Sequence, residues 1–221
     1  MQASTELSVI IFNQKAMQEL RLNHINQAFS LLEEALRLTI SLNGSSDQSK
    51  LYGVTYNNIG ILYQRMGNLP KGLHYLSKSL EFEQNNIEAL SATLLNMSKL
   101  LSEQGSHKES LEVGLKCIRV LKNNFEASDE CIRTLIVAYH NVGKEYEHLR
   151  IVSAALDCYL KGYHLALEHL GVSNLNTLKM HKAYVTLKKR KTGLGRTRSN
   201  SKSRKKVFSC LLYTSPSPRD S

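Results

Sequence analysis

The sequence predicts an all-α fold built as a stack of similar helix pairs, and three observations carry that prediction. First, residues 56–63 (YNNIGILY) and 139–146 (YHNVGKEY) share one layout: an aromatic residue, two polar positions, a branched apolar residue, glycine, two further residues and tyrosine. Second, apolar residues recur at helical spacing within these segments. Third, the chain has three Pro, no Trp and no extended β-branched alternation of the kind found in strands. A recurring layout indicates a repeat array; an irregular helical bundle is the alternative.

Small residues recur at a fixed distance from the shared layout. Gly72 lies twelve residues after Gly60, and Ala155 lies twelve residues after Gly143. Residues 94–101 are a weaker copy of the layout, with Ser110 at the equivalent small position, and a fourth copy near the start has Ala28 there. The four small positions are separated by 44, 38 and 45 residues. Because helix-pair repeats of this kind need about 34 residues, insertions are predicted between units, and the polar stretch 43–50 is one of them.

This pattern resembles the tetratricopeptide repeat, and the lengthened units resemble the kinesin-light-chain type. The resemblance implies a right-handed α-solenoid of about four helix pairs plus a C-terminal capping helix. Stacking would bury the apolar face that each helix pair cannot cover by itself. We place one array at residues 1–191, with repeats at 5–40, 52–84, 88–122 and 130–170 and the capping helix at 174–191. The structural positions of the pattern are Tyr56, Gly60, Tyr63, Gly72, Tyr139, Gly143, Tyr146 and Ala155.

The resemblance also implies a function, namely a non-enzymatic scaffold or adaptor that binds an extended or short helical peptide in a concave groove. A side-chain amide recurs two residues before the small residue of each first helix. Because an amide both donates and accepts hydrogen bonds, a row of them suits a peptide backbone. Basic residues on the same aligned face would favour a peptide with carboxylates. The predicted peptide-binding residues are Gln14, Asn58, Asn96, Asn141, Arg65, Lys99 and Lys144. Two alternatives stay open: the amides bond to adjacent helices, and Glu103 and Glu147 pair with the basic residues.

The net charge of +10 comes from one end of the chain. Residues 188–206 contain ten Lys and Arg and no acidic residue, which leaves residues 1–187 formally neutral. We expect residues 192–209 to form a disordered basic tail. Such a tail suits a nuclear-import signal or a contact with nucleic acid or an acidic surface, so binding through the tail is the alternative function. The basic residues singled out are Lys188, Lys189, Arg190, Lys191, Arg204, Lys205 and Lys206.

The last twelve residues, 210–221 (CLLYTSPSPRDS), resemble the conceptual translation of a sequencing adapter. We therefore expect this segment to be an artefact of transcript assembly and the natural chain to continue past Ser209.

No pattern in the sequence indicates chemistry. The four Cys show no paired spacing, so neither a zinc site nor a disulfide framework is predicted. Cys117 falls at a small-residue packing position and is expected in the core rather than as a nucleophile. The His residues lack the spacing with Glu that metal hydrolases use. We expect no cofactor, no metal and no membrane span, and a cytoplasmic or nuclear protein whose partner is another protein or peptide. Self-association through an exposed terminal repeat is a further expectation.

Overall fold

The computed structural model describes residues 2–42, 47–83, 86–124 and 128–193. These ranges fold into nine helices, which form four consecutive hairpins and a terminal helix. In chain order they are α1 (Gln2–Arg21), α2 (Ile25–Ser41), α3 (Gln48–Arg65), α4 (Leu69–Phe82), α5 (Ile87–Gln104), α6 (His107–Lys122), α7 (Asp129–His148), α8 (Val152–Leu170) and α9 (Leu175–Lys191).

Side-chain caps fix where several helices begin. The Asn68 side chain accepts a hydrogen bond from the Lys71 backbone at the start of α4, Asn86 does the same for α5, and Ser128 caps α7. Each cap satisfies a backbone N–H that has no partner inside its helix. Gly105 ends α5 with a φ of +86°, a left-handed conformation that favours glycine. Short polar turns therefore separate the paired helices.

The two helices of each hairpin cross where both carry a small residue. Gly60 of α3 lies against Gly72 of α4 so closely that a methyl group on either glycine would lie 3.1 Å from the other's carbonyl oxygen. In the third hairpin two serines replace the glycines, and each hydroxyl donates to the other's backbone carbonyl, Ser98 to Ser110 at 3.0 Å and Ser110 to Ser98 at 2.7 Å. At the equivalent positions of the first and fourth hairpins, Ala16, Ala28, Gly143 and Ala155 are all buried, and a methyl group on Gly143 would lie 2.6 Å from the Tyr159 ring.

The direction of curvature follows from which helices meet. Each first helix contacts the first helix of the next unit, from α1 through α3, α5 and α7 to α9. Within the described residues, successive second helices do not contact one another. When helices are in contact on one side of a stack and separated on the other, the stack curves toward the side in contact. The first helices therefore line the inner surface.

The predicted fold class, an all-α solenoid of four helix pairs with a terminal helix, is confirmed. Residues 48–50, at the end of the polar stretch 43–50, form the first turn of α3, which Asp47 precedes as its N-cap. Lys50 pairs with Asp47 at 2.9 Å across this turn. Residues 43–46 lie outside the described residues, as do residues 194–221 with the adapter-like segment. None of the described helices is long and apolar enough to cross a membrane.

Candidate functional site

A buried amide joins the first helices of the first two units. Asn13 of α1 donates from Nδ2 to the Thr55 hydroxyl of α3 at 2.9 Å and to the Val9 carbonyl at 3.0 Å. Its Oδ1 accepts from Nδ2 of Asn58 at 2.8 Å. The three side chains that meet between α1 and α3 are at most 6% exposed. Buried polar groups persist in a core only when they find partners, and here each one does.

The same arrangement joins α3 to α5. Asn57 Oδ1 accepts from the Thr93 hydroxyl at 3.1 Å and from Asn96 Nδ2 at 3.0 Å. Asn13 and Asn57 each lie three residues before the small residue of their own first helix. In the next first helix, the Thr partner lies five residues and the Asn partner two residues before the small residue. We call this unit the Asn–Thr–Asn clasp; it occurs at the first two junctions.

The clasps change the interpretation of the predicted amide row. Asn58 is 6% exposed and Asn96 is half-buried, and the amide nitrogen of each donates to the preceding first helix. These two side chains hold neighbouring units together, in agreement with the alternative that the amides bond to adjacent helices. One of the two N–H groups of each amide is therefore already used within the array.

The third junction uses a buried carboxylate in place of the clasp. Leu95 stands where the earlier units have Asn. Glu145 of α7 is 2% exposed and accepts from the Ser102 hydroxyl at 2.6 Å, while its other oxygen lies 2.8 Å from His107 Nδ1. The His107 ring stacks on His148 with centroids 4.1 Å apart. The cluster joins α5, α6 and α7, and its acceptor oxygens are occupied within the array, which indicates a structural contact.

The fourth junction is polar and more open. Glu147 of α7 accepts from the Tyr159 hydroxyl at 2.6 Å and from Arg190 of α9 at 3.2 Å. We use the name α7–α9 surface for His140 of α7 together with the three residues that act on its pKa, Asn141 and Lys144 of α7 and Lys179 of α9. Both lysines are exposed, while His140 and Asn141 are half-buried.

The pKa of His140 reflects its burial and its charged neighbours. Burial lowers the pKa of His140 below its ordinary value, and the positive charge of Lys144 lowers it as well. A hydrogen bond with Asn141 opposes this decrease, and Lys179 adds to it. The imidazole is therefore neutral at pH 7, since its ordinary pKa already lies near 6.5. The surface combines two cations with neutral groups that donate and accept hydrogen bonds.

The other predicted peptide-binding residues lie apart from this surface. Gln14 is exposed on α1, and Arg65 is exposed at the end of α3. Lys99 is half-buried and lies 3.7 Å from Glu103, so the pairing foreseen for that carboxylate is present. The structure thus brings Asn141 and Lys144 together but does not gather all seven residues into one site.

The remaining predicted positions have structural surroundings. Tyr56 and Tyr63 pack half-buried against the core of the first two hairpins, and Tyr139 and Tyr146 pack against the cores of the last two. Lys188, Lys189, Arg190 and Lys191 form the last turn of α9, so the helix includes the start of the basic run. Arg204, Lys205 and Lys206 lie outside the described residues.

Cys117 lies in the core of the third hairpin. Its side chain is 0% exposed, and its thiol donates to the Ser91 carbonyl at 3.3 Å. Burial raises the pKa of Cys117 to about 12. Since the thiolate is the nucleophilic form, this thiol is protonated and inert at neutral pH. Within the described ranges, no three His, Cys, Asp or Glu side chains lie close enough to hold a metal ion.

Sequence reasoning missed a buried carboxyl between the second and third hairpins. Glu83, at the end of α4, is 3% exposed; its Oε1 accepts from the Ser79 hydroxyl at 2.7 Å, and its Oε2 has no partner. Burial raises the pKa of Glu83, although hydrogen bonds from Ser79 and Thr93 oppose this. Nothing in the local sequence marks Glu83 as buried, since it follows an exposed Glu81 by two residues.

A raised folded-state pKa makes stability depend on pH in a definite direction. The fold favours protonated Glu83, so its contribution is complete below the unfolded pKa of about 4.3 and is lost as pH rises through the folded pKa. We expect Glu83→Gln to remove this loss, because the amide stays neutral at every pH. Urea unfolding at pH 5 and pH 7.5 measures the effect, and Glu81→Gln, at an exposed position, is the matched control. Equal pH dependence in wild type and Glu83→Gln would contradict the assignment.

The fold and the junctions define a class of protein, the α-helical repeat arrays. Residues 51–123 match the family model described as tetratricopeptide repeat. This segment therefore carries the tetratricopeptide repeat pattern, and α3 to α6 lie within it apart from the first three residues of α3. No curated protein sequence matches the chain.

Solved structures share the fold along most of the chain. BtubC (BKLC) from P. vanneervenii has a TM-score of 0.60 and 14% identity, covering 95% of this chain and 96% of its own. A putative kinesin light chain with nearly identical TPR-like repeats from Podosopora anserina has a TM-score of 0.66 and 11% identity, covering 84% and 86%. A STAND signal transduction ATPase with a tetratricopeptide repeat sensor from Pyrococcus horikoshii has a TM-score of 0.67 and 13% identity, covering 81% of this chain and 26% of that one. At these identities the likeness concerns the fold.

Proposed function

We propose that this protein is a non-enzymatic scaffold that binds an extended or short helical segment of another protein on the inner surface of its solenoid. Tetratricopeptide repeats generally mediate contacts between proteins, which supports the broad assignment. The more specific part of the proposal rests on one observation: the polar groups of the inner surface are engaged by the clasps at the first two junctions and are accessible at the last one.

The α7–α9 surface is the binding site in this proposal. Lys144 and Lys179 provide exposed ammonium groups, and Asn141 provides an amide beside them. Ammonium groups bind carboxylates through charge-assisted hydrogen bonds, which are stronger than neutral ones. The partner is therefore a protein segment with Asp or Glu side chains, held at the C-terminal half of the array.

A double substitution tests the site. A peptide is first selected from a random display library against the full chain, and its affinity is then measured for the wild type and for Asn141→Ala with Lys144→Ala. Each lost contact is worth about 1 kcal/mol, so we expect the affinity to fall by about tenfold or more. The control carries the same two changes on outer helices, at the exposed residues Asn26 and Lys116. Equal affinities for the wild type, the site variant and the control would contradict the proposal.

A second function, binding to an acidic surface or nucleic acid, has one observation in its favour. Lys188, Lys189 and Lys191 are exposed together in the last turn of α9. Contacts with a polyanion release counterions, so the logarithm of such an affinity falls steeply and linearly with the logarithm of salt concentration. Peptide binding through the α7–α9 surface depends less on salt. A salt titration of the measured affinity therefore separates the two functions.

A further inference from the structure

The first helix, α1, is apolar on two sides. One side carries Val9, Ala16 and Leu20, all of them fully buried against the rest of the array. The other side carries Leu7, Ile10 and Ile11, which are 57%, 42% and 37% exposed. A surface helix normally shows one apolar stripe, and a helix with apolar residues on both sides is normally buried on both.

The exposed side of α1 corresponds to the side that later first helices bury against the preceding hairpin. Leu7, Ile11 and Gln14 lie nine, five and two residues before the small residue Ala16. In α3, the residues at the same distances before Gly60 are Leu51, Thr55 and Asn58, which are 7%, 0% and 6% exposed.

The contacts of these α3 residues show that this side of α3 packs against the preceding hairpin. Leu51 joins the apolar cluster of Val9, Ala35 and Leu42 in the first hairpin, and Thr55 and Asn58 form the first clasp. Within the described residues, no helix packs against the equivalent side of α1. This side of α1, comprising Leu7, Ile10, Ile11, Gln14 and Gln18, is called the α1 outer face below.

We propose that the α1 outer face binds a second copy of this chain, so that two arrays join head to head around a two-fold axis. The contact is isologous, with the same residues contributed by both copies. The five residues of the α1 outer face carry no charge, and the exposed Arg21 lies beyond them at the end of α1, so a contact centred on Leu7 and Ile11 desolvates no ion. Gln14 and Gln18 each offer a donor and an acceptor, so the amides of one copy can bond to those of the other.

The residues of α9 indicate why the α1 outer face pairs with the α1 outer face of a second copy and not with α9 of that copy. Met180 of α9 lies against Gly162 of α8, and Thr93 of α5 lies against Ser79 of α4. Gly162 and Ser79 each lie seven residues after the small crossing residue of their helix, so Met180 and Thr93 occupy equivalent positions. In that register Lys182 occupies the position of Asn13 and Asn57, the residues that face the next unit. Lys182 and Lys189 are both exposed on α9.

These lysines disfavour the two other arrangements. Head-to-tail stacking would bury Lys182 against the apolar α1 outer face, and burying an unpaired ammonium is strongly unfavourable. Tail-to-tail stacking would bring like charges together across the contact. The head-to-head dimer has neither penalty.

Sedimentation equilibrium of the full chain, over a roughly hundredfold range of concentration, tests the dimer. We expect the wild type to reach the mass of two chains and to stop there. Leu7→Glu places a charge in the contact and should weaken dimerisation by about a hundredfold or more. The matched control is Leu22→Glu, because Leu22 is also 57% exposed but lies in the turn after α1; this variant should dimerise like the wild type.

Three results would overturn the proposal. They are a wild type that stays monomeric at the highest concentration, equal dimerisation of Leu7→Glu and Leu22→Glu, and species that keep growing beyond two chains, which would indicate head-to-tail stacking. Both leucines are exposed, so both variants should keep wild-type helicity, and circular dichroism of each sample checks this.

Discussion

Replacing Gly60 with leucine is expected to destabilise the array by about 3 kcal/mol, the upper end of the usual range for overpacking. A single Cβ at this position would lie 2.7 Å from Leu76 Cγ and 3.1 Å from the Gly72 carbonyl oxygen. Leu76 is fully buried and cannot move into solvent, and the Gly72 carbonyl belongs to the backbone of α4. The helices must therefore separate at their crossing. The measurement is the free energy of unfolding in urea.

Ser77→Leu is the matched control, because it adds a leucine to the exposed side of α4 in the same hairpin. Its effect should stay within about 0.5 kcal/mol. If Gly60→Leu were as mild as Ser77→Leu, the close crossing of α3 and α4 would not be a determinant of stability.

Asn13→Leu is expected to destabilise the protein by about 2–3 kcal/mol, because leucine keeps the branched shape but removes every hydrogen bond of the first clasp. Asn58 then loses the acceptor of its buried amide, and an unsatisfied buried group costs about 1–3 kcal/mol. Thr55 loses its donor, although its hydroxyl can turn to a backbone carbonyl of α3. Urea unfolding measures the loss, and Gln14→Leu, at the exposed neighbouring position, is the control.

A double-mutant cycle separates the clasp from simple packing. When both partners become apolar, no buried polar group is left without a partner. Asn13→Leu with Asn58→Leu should therefore cost less than the sum of the two single changes, with a coupling energy of about 1 kcal/mol or more. Strict additivity would show that the two side chains act independently.

The sequence was sufficient to predict the repeats because their spacing follows from backbone geometry. Two helices can cross closely only where both side chains are small. A pair of small residues twelve positions apart, such as Gly60 and Gly72, therefore indicates a crossing. The aromatic positions at Tyr56 and Tyr63 are constrained in the same way, since they fill the space beside that crossing. Such local constraints repeat in every unit and can be recognised without knowing how the units stack.

The junctions could not be predicted because they depend on the register between units. The amide of Asn58 was recognised, but its partner Asn13 lies 45 residues earlier and meets it only after the hairpins have stacked. Glu83 is buried against Gly53 of α3 and also interacts with Thr93 of α5, so the sequence of its own helix carries no sign of its burial.

The clasps also determine which part of the inner surface is free to bind. At the first two junctions the inner amides satisfy one another. The sequence departs from that pattern at Leu95 and His140, which stand where Asn13 and Asn57 stand in the first two units. These departures leave Asn141, Lys144 and Lys179 without a clasp across the last junction. The peptide-binding proposal therefore concerns the last two first helices.

Amide hydrogen exchange of the full chain, with and without a peptide selected from the display library, tests the central claim most directly. Binding in the inner surface predicts slower exchange in α7 and α9, around Lys144 and Lys179, with little change in α2, α4 and α6. Protection confined to residues 194–221, or spread over the outer helices alone, would contradict the account.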